Sequence, residues 1–162
     1  MKREIQIYRE SFGVSEEFEN LLFKASPETF KVNNQTVSQL FLLQATIVKN
    51  EINIPCKYLF AAATKREERK KGYMKKLISG ITENQILILR PANKTLINYY
   101  KKLGFTLFTA NDYKNNGFAV EPEGHFRLLA DLEGKTNDGE FPLMAVNSPI
   151  DLNGIYFPFT LP

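Results

Sequence analysis

Residues Arg69-Lys70-Lys71-Gly72-Tyr73-Met74 stand between a short apolar run and an amphipathic segment, and their reading decides the fold. Upstream, Tyr58-Leu-Phe-Ala-Ala-Ala63 is suited to a strand covered on both faces, although a run this short also fits a buried helical segment. Downstream, Tyr73, Met74, Leu77, Ile78 and Ile81 recur at helical spacing, while Lys75, Lys76 and Ser79 point away. The hexapeptide therefore delivers a helix N-terminus. Unpaired backbone N–H groups and the positive end of the helix dipole collect there, and Gly72 lets a ligand approach without a Cβ in the way. Such a turn is equipped to cradle a diphosphate.

Neither G-x-x-x-x-G-K-[ST] nor G-x-G-x-x-G occurs in the chain, which removes the main support for nucleotide hydrolysis and dinucleotide redox chemistry. A second apolar run, Gln85-Ile-Leu-Ile-Leu89, leads into Pro91-Ala-Asn93-Lys-Thr-Leu-Ile-Asn-Tyr-Tyr100-Lys-Lys-Leu-Gly104-Phe105. Asn93 is a good helix N-cap. Leu96, Ile97, Tyr100 and Leu103 share a face, and Gly104 is placed to end the helix. The order strand, loop, helix, strand, helix implies two parallel strands around a crossover helix.

These two linked passages resemble the GCN5-related N-acetyltransferases. Arg69-x-x-Gly72-x-Met74 is similar to the family's acyl-CoA signature [QR]-x-x-G-x-[GA], with Met74 in place of the usual small residue, and the second passage matches its "Y-x-K-L-G-F" element. The resemblance is clear from about Val37 to Phe108 and weak beyond Thr109. It implies a mixed α/β fold: a mainly antiparallel sheet with a central parallel strand pair, flanked by helices. It also implies direct transfer of an acetyl group from acetyl-CoA to a primary amine, without a metal. Backbone amides from Arg69 through Lys70, Lys71, Gly72 and Tyr73 to Met74 would bind the CoA diphosphate, with charge from Arg69, Lys70 and Lys71. Ala62, Ala63 and Thr64 would flank the pantetheine arm in a splay between the two strands, one amide polarising the thioester carbonyl. Asn93 would lie near the pantetheine as well as capping its helix. Tyr100 matches the tyrosine that donates to the departing thiolate, while its place on the apolar stripe equally suits an ordinary core tyrosine. Tyr99 falls off that stripe. No general base is named, because Tyr58 to Thr64 holds no carboxylate and Glu67 and Glu68 read as surface ion-pair partners.

With 162 residues, 43% hydrophobic and 24% charged, the chain fits a single domain, 1–162, of a soluble protein. No apolar stretch approaches the ~20 residues a membrane helix needs, and Met-Lys-Arg-Glu-Ile has no apolar signal region behind it, so cytoplasmic residence is expected. One cysteine, Cys56, and one histidine, His125, argue against a disulfide and against a cysteine- or histidine-based metal site. Net charge is +3, yet Lys65 to Lys76 holds seven basic and two acidic residues, leaving −2 for the rest. That concentration, if it were only a solvated face, would need no ligand. Two rival readings follow: a non-catalytic CoA-binding or interaction module on the same fold, and a basic nucleic-acid-binding domain, which lacks an accompanying signature. For the acetyltransferase, the partners expected are acetyl-CoA and an amine acceptor that is a small molecule, peptide or protein, and a homodimer is compatible with it.

Elsewhere, Glu4-Ile-Gln-Ile-Tyr8 reads as a strand-like start, followed by a helical stretch with Phe18, Leu21, Leu22 and Phe23 as core candidates. Asn33-Asn34 marks a turn, Thr36 to Val48 alternates unevenly, and Asn50-Glu51 connects it to the next strand as a hairpin. An antiparallel meander is expected there. The C-terminal third reads as β-rich, with pieces at 126–130, 142–146 and 155–159 and turn signals at Asn115-Asn-Gly117 and Asn137-Asp-Gly139.

Overall fold

A meander of three antiparallel strands carries the architecture in the computed structural model, which describes residues 2–12, 15–49, 51–83, 85–108, 118–124 and 143–149. Strands β1 (Glu28–Val32) and β2 (Gln35–Lys49) join through Asn33 and Asn34, both at positive φ (50° and 62°). That is the backbone of the two-residue turn whose twist suits a hairpin, and asparagine tolerates it best after glycine. Strand β3 (Ile52–Thr64) pairs with β2 from Lys49↔Ile52 to Ser38↔Thr64, so the hairpin expected across 50–51 is present.

Strand β3 then turns into α3 (Tyr73–Ile81), which returns to β4 (Leu87–Leu89), parallel to β3. Helix α4 (Lys94–Lys102) and strand β5 (Thr106–Phe108) follow. With β6 (Phe118–Pro122) and β7 (Leu143–Val146), the sheet runs β1-β2-β3-β4-β7-β5, and β6 pairs with the far end of β2. The parallel pair therefore sits inside an otherwise antiparallel sheet. This is the mixed α/β architecture expected from the sequence.

Alternation along the strands divides the core in two. Phe41, Leu43, Ala45 and Ile47 of β2 join Cys56, Tyr58 and Phe60 of β3 on one face. Over them lie Tyr8 of α1 (Lys2–Ser11) and Phe18, Leu22 and Phe23 of α2 (Glu16–Phe23). Leu40, Leu59, Leu87 and Leu89 face the other way, toward Leu77 and Ile78 of α3 and Tyr100 of α4. Each fully buried side chain of this kind stabilises the fold by roughly 1.5–3 kcal/mol relative to exposure.

One expectation is corrected: Glu4–Tyr8 is not a strand but the middle of α1. The alternation of Ile5 and Ile7 is real, yet extending the window to Phe12 shows Ile5, Tyr8 and Phe12 at spacings of three and four. Ile7 and Tyr8 are buried. Long-range bonds hold the helix on β2: Arg3 Nε donates to the Thr36 carbonyl (2.6 Å), and Gln39 Nε2 donates to the Glu4 carbonyl (2.7 Å). Helix α2, by contrast, is locally specified, with Ser15 Oγ accepting from the Phe18 amide at 3.2 Å and three glutamates, Glu16, Glu17 and Glu19, beside its N-terminus. Strands β1, β5 and β6 lie where no strand was read. The β-prone pieces at 126–130 and 155–159, the turn signals at 115–117 and 137–139, and His125 lie outside the described residues.

Candidate functional site

Strands β3 and β4 part company soon after they meet. They pair only at Lys57↔Leu87 and Tyr58↔Ile88; β4 ends at Leu89, while β3 continues to Thr64, held by β2 on its other side. The β4-facing edge of β3 beyond this point thus presents backbone donors and acceptors that no strand among the described residues takes, which is an opening for an extended ligand.

A bulge sharpens this edge. Between Gln39↔Ala63 and Phe41↔Phe60, β3 has one residue more than β2, and Ala61 takes φ 52°. A left-handed alanine costs on the order of 1–2 kcal/mol. Its effect is visible in the packing: the consecutive residues Phe60 and Ala61 both face the α1/α2 side, and the alternation resumes one step out of phase. Ala62 is thereby turned toward α3 and α4, where it packs near Met74, Leu96 and Tyr100.

Two adjoining hollows occupy the opening. A narrow one, about 130 Å³, is lined from both faces of the sheet, by Tyr58 and Phe60 on one side and Leu59, Leu89 and Tyr100 on the other, and includes Arg90, Pro91 and Ala92. The wider one, about 480 Å³, is lined by Glu10, Ser11 and Phe12 of the α1 end, Ala62–Thr64, Arg69, Met74, Leu96, Tyr99 and Tyr100. Phe12, Ala62, Leu96 and Tyr100 border both.

At one end of the wider hollow stands the basic turn. A 3₁₀ turn at Arg66–Glu68 leads to Lys70 (φ 65°) and Gly72 (φ 78°), both left-handed, and Gly72 is the N-cap of α3. Alternating backbone hands of this kind gather N–H groups into an anion-binding concavity. The first helical bond runs from the Lys76 amide to the Gly72 carbonyl, leaving the amides of Tyr73, Met74 and Lys75 as the unpaired donors of the first turn. A Cβ built on Gly72 meets nothing within 4 Å, so the glycine is required by its φ, and the space before it is open.

Cations differ in what they do here. Arg69 Nε donates to the Thr64 carbonyl (3.0 Å), tying the turn to the end of β3. Lys71 is engaged by Glu68 at 2.8 Å; that hydrogen bond lowers the Glu68 pKa and raises that of Lys71. Glu67 lies 3.8 Å from Lys65, so both loop carboxylates have the ion-pair partners their setting predicted. The Tyr73 ring stacks on Phe30 of β1 (5.4 Å), away from the hollow, so its backbone alone is offered.

Tyr100 is 7% exposed, packed edge-on against Tyr99 (5.3 Å) and Phe105 (5.5 Å), and its hydroxyl has no hydrogen-bond partner among the described residues. Burial pushes its pKa up to about 12, with Tyr99 and Tyr58 nearby adding to the effect. Tyr58 is also pushed up to about 12 by burial, against the opposing pull of Arg90, whose backbone hydrogen-bonds its hydroxyl. Asn93 caps α4 by accepting from the Leu96 amide (2.9 Å) and lines neither hollow.

Of the residues singled out from the sequence, Ala62, Ala63, Thr64, Arg69, Met74 and Tyr100 meet around one hollow, and Lys70, Lys71, Gly72 and Tyr73 form the adjoining turn. Residues Glu10, Phe12, Tyr58, Arg90 and Tyr99 were missed as lining. Helical spacing over 5–12 was the available signal for the first two; Tyr99 was set aside for leaving the apolar stripe; Tyr58 and Arg90 carry no sequence signal.

This arrangement of sheet, helices and parted strands is the fold of the GCN5-related N-acetyltransferases. A GCN5-related N-acetyltransferase from Kribbella flavida superposes with a TM-score of 0.58 at 14% identity, over 89% of this chain and 50% of that one. An Enterococcus faecalis protein described as a probable N-acyltransferase gives 0.55 at 14%, over 79% and 45%. Arabidopsis thaliana Naa50, in complex with the bisubstrate analogue CoA-Ac-MVNAL, gives 0.53 at 15%, over 91% and 93%. The chain thus spans about half the length of the first two. No protein-family model and no curated protein matches the sequence.

Proposed function

We propose that this protein is an acetyl-CoA-dependent N-acetyltransferase acting on a primary amine. The observation that carries this reading is the meeting, around one opening in the sheet, of a left-handed basic turn, a strand edge unpaired among the described residues and a tyrosine whose ring is buried and which lines the hollow. The amides of the turn and of Tyr73 and Met74 bind the CoA diphosphate, with Arg69 and Lys70 adding charge. Pantetheine lies along Ala62–Thr64, and a β3 amide beside the bulge polarises the thioester carbonyl. That a protein of this fold, Naa50, was solved with the bisubstrate analogue CoA-Ac-MVNAL supports CoA as the donor.

The neutral amine attacks the carbonyl carbon, the C–S bond breaks with its electron pair on sulfur, and the amine proton passes to solvent. Tyr100 donates a hydrogen bond to the departing sulfur. Transfer of its proton from a pKa of about 12 to a thiolate with a reference pKa near 8.5 is uphill by roughly 5 kcal/mol. Stabilisation of thiolate charge, with any proton transfer late, is therefore the role assigned to it.

Calorimetry with acetyl-CoA, followed by thiol release on a panel of amines, tests the reading. Binding with amine-dependent thiol release is expected. Binding with no release on any amine would assign the non-catalytic module instead, and salt-sensitive binding of DNA or RNA without CoA binding would assign the nucleic-acid domain.

A further inference from the structure

The geometry points to Glu10 as the residue that selects the acceptor, and to an amine carrying a second positive charge as the acceptor class. This rests on the acetyltransferase reading above. Glu10 is the only carboxylate among the described residues lining the wider hollow, where Arg69 is the only lining cation. The two charged residues of the lining are thus of opposite sign. Arg69 belongs to the turn assigned to phosphate, which leaves the carboxylate for the other substrate.

Its place in the helix is unusual on local grounds. Glu10 lies in the last turn of α1, where the dipole and the unpaired carbonyls favour a cation and disfavour a carboxylate. Arg9, the cation of that turn, is directed elsewhere: it forms a bidentate pair with the buried Glu19 (2.7–3.1 Å). Glu10 Oε1 accepts a single side-chain hydrogen bond, from Gln6 Nε2 at 3.2 Å, and Oε2 has no partner among the described residues. A carboxylate and a helix C-terminus therefore add their negative potentials at the rim of the cavity, with one oxygen unused. Such a local conflict without internal compensation marks a binding position.

What Glu10 reads cannot be the reacting nitrogen in its reactive form, since that nitrogen must be neutral to attack. The carboxylate instead holds a second cationic group of the acceptor, while Phe12 and Tyr99, which line the same hollow, supply apolar and ring surface. A carboxylate at the same place on the acceptor would face like charge and be rejected.

The test uses the full chain with putrescine and γ-aminobutyrate, which differ in having an ammonium or a carboxylate at the far end. Acetyl-CoA binding is first measured by calorimetry; its absence overturns the acetyltransferase reading itself. Given binding, putrescine is expected to exceed γ-aminobutyrate in kcat/KM by about tenfold or more, and Glu10→Gln to lower the putrescine value about tenfold through KM while leaving γ-aminobutyrate unchanged. Glu10→Lys is expected to reverse the preference, and Glu17→Gln, at an exposed position of α2, to alter nothing. Equal loss on both amines, no loss on either, or a wild-type protein that binds acetyl-CoA and acetylates neither amine would overturn the assignment. Calorimetric titration of putrescine into the CoA-saturated protein gives a readout independent of turnover: weaker binding in Glu10→Gln is expected, and unchanged binding refutes the contact.

Discussion

Tyr100 answers two demands that a sequence cannot separate. Its ring belongs to the core between Tyr99 and Phe105, while its hydroxyl opens on the cavity. Removing the hydroxyl alone distinguishes them, because Tyr100→Phe keeps the ring packing. Unchanged thermal stability and acetyl-CoA affinity are expected, with kcat lowered by about 10²–10³, the loss seen when a donor to developing negative charge is removed. A kcat within twofold of wild type would reduce Tyr100 to a packing residue. Tyr58 and Tyr100 also make stability depend on alkaline pH. Both have folded pKa values raised to about 12, against about 10 in the unfolded chain, so their contribution is fully present below pH ~10 and is lost as pH rises toward 12. A denaturant midpoint that holds up to about pH 10 and then falls, with the fall reduced in the double variant Tyr58→Phe, Tyr100→Phe, is the expected outcome.

The turn ahead of α3 and the cap of α4 are properties of elements. Gly72 and Gly104 are both left-handed, at φ 78° and 95°, so alanine at either costs about 1 kcal/mol of stability. Only the Gly72 turn faces the cavity end. Gly72→Ala is therefore expected to weaken acetyl-CoA binding as well as the fold, and Gly104→Ala the fold alone, as calorimetry and chemical denaturation would show. Equal effects of the two on CoA affinity would remove the turn from the binding site. Asn93→Ala is expected to cost about 1 kcal/mol through the lost bond to Leu96, and Asn93→Ser to restore most of it. Should CoA affinity fall in the serine variant too, Asn93 acts on the ligand beyond its capping role.

Across the whole molecule, the site is a fault line between two halves of one sheet. The meander β1-β2-β3 and the group β4-β7-β5 meet in the β3–β4 contact, which among the described residues spans two residue pairs. A ligand laid into the gap bridges both halves, and binding to the folded state alone raises stability by mass action. At ~100 times its dissociation constant, acetyl-CoA should stabilise the protein by about 2.7 kcal/mol and raise Tm by about 5–10 °C. Because the proposed placement sets the diphosphate beside the cations Arg69 and Lys70, the shift should shrink as salt is raised from about 0.05 to about 0.5 M. No shift at millimolar acetyl-CoA would contradict the site.

Local chemistry made part of this protein legible without its structure. The Asn33-Asn34 turn, the α3 and α4 stripes, the Asn93 cap and the Gly104 terminus follow from backbone preference and spacing over a few residues, and the parallel pair follows from their order. What tertiary structure alone decided depends on contacts between distant segments. Helix α1 adopts its form over a sequence of mixed periodicity because β2 pairs with its backbone and side chains 32 to 35 residues away. The bulge at Ala61 exists because β3 carries one residue more than the partner it must match, and the cavity exists because β4 stops at Leu89 while β3 continues. Spacing within a segment encodes a segment's own conformation; the gap between two strands and the carboxylate brought to its rim are set by how separate segments pack.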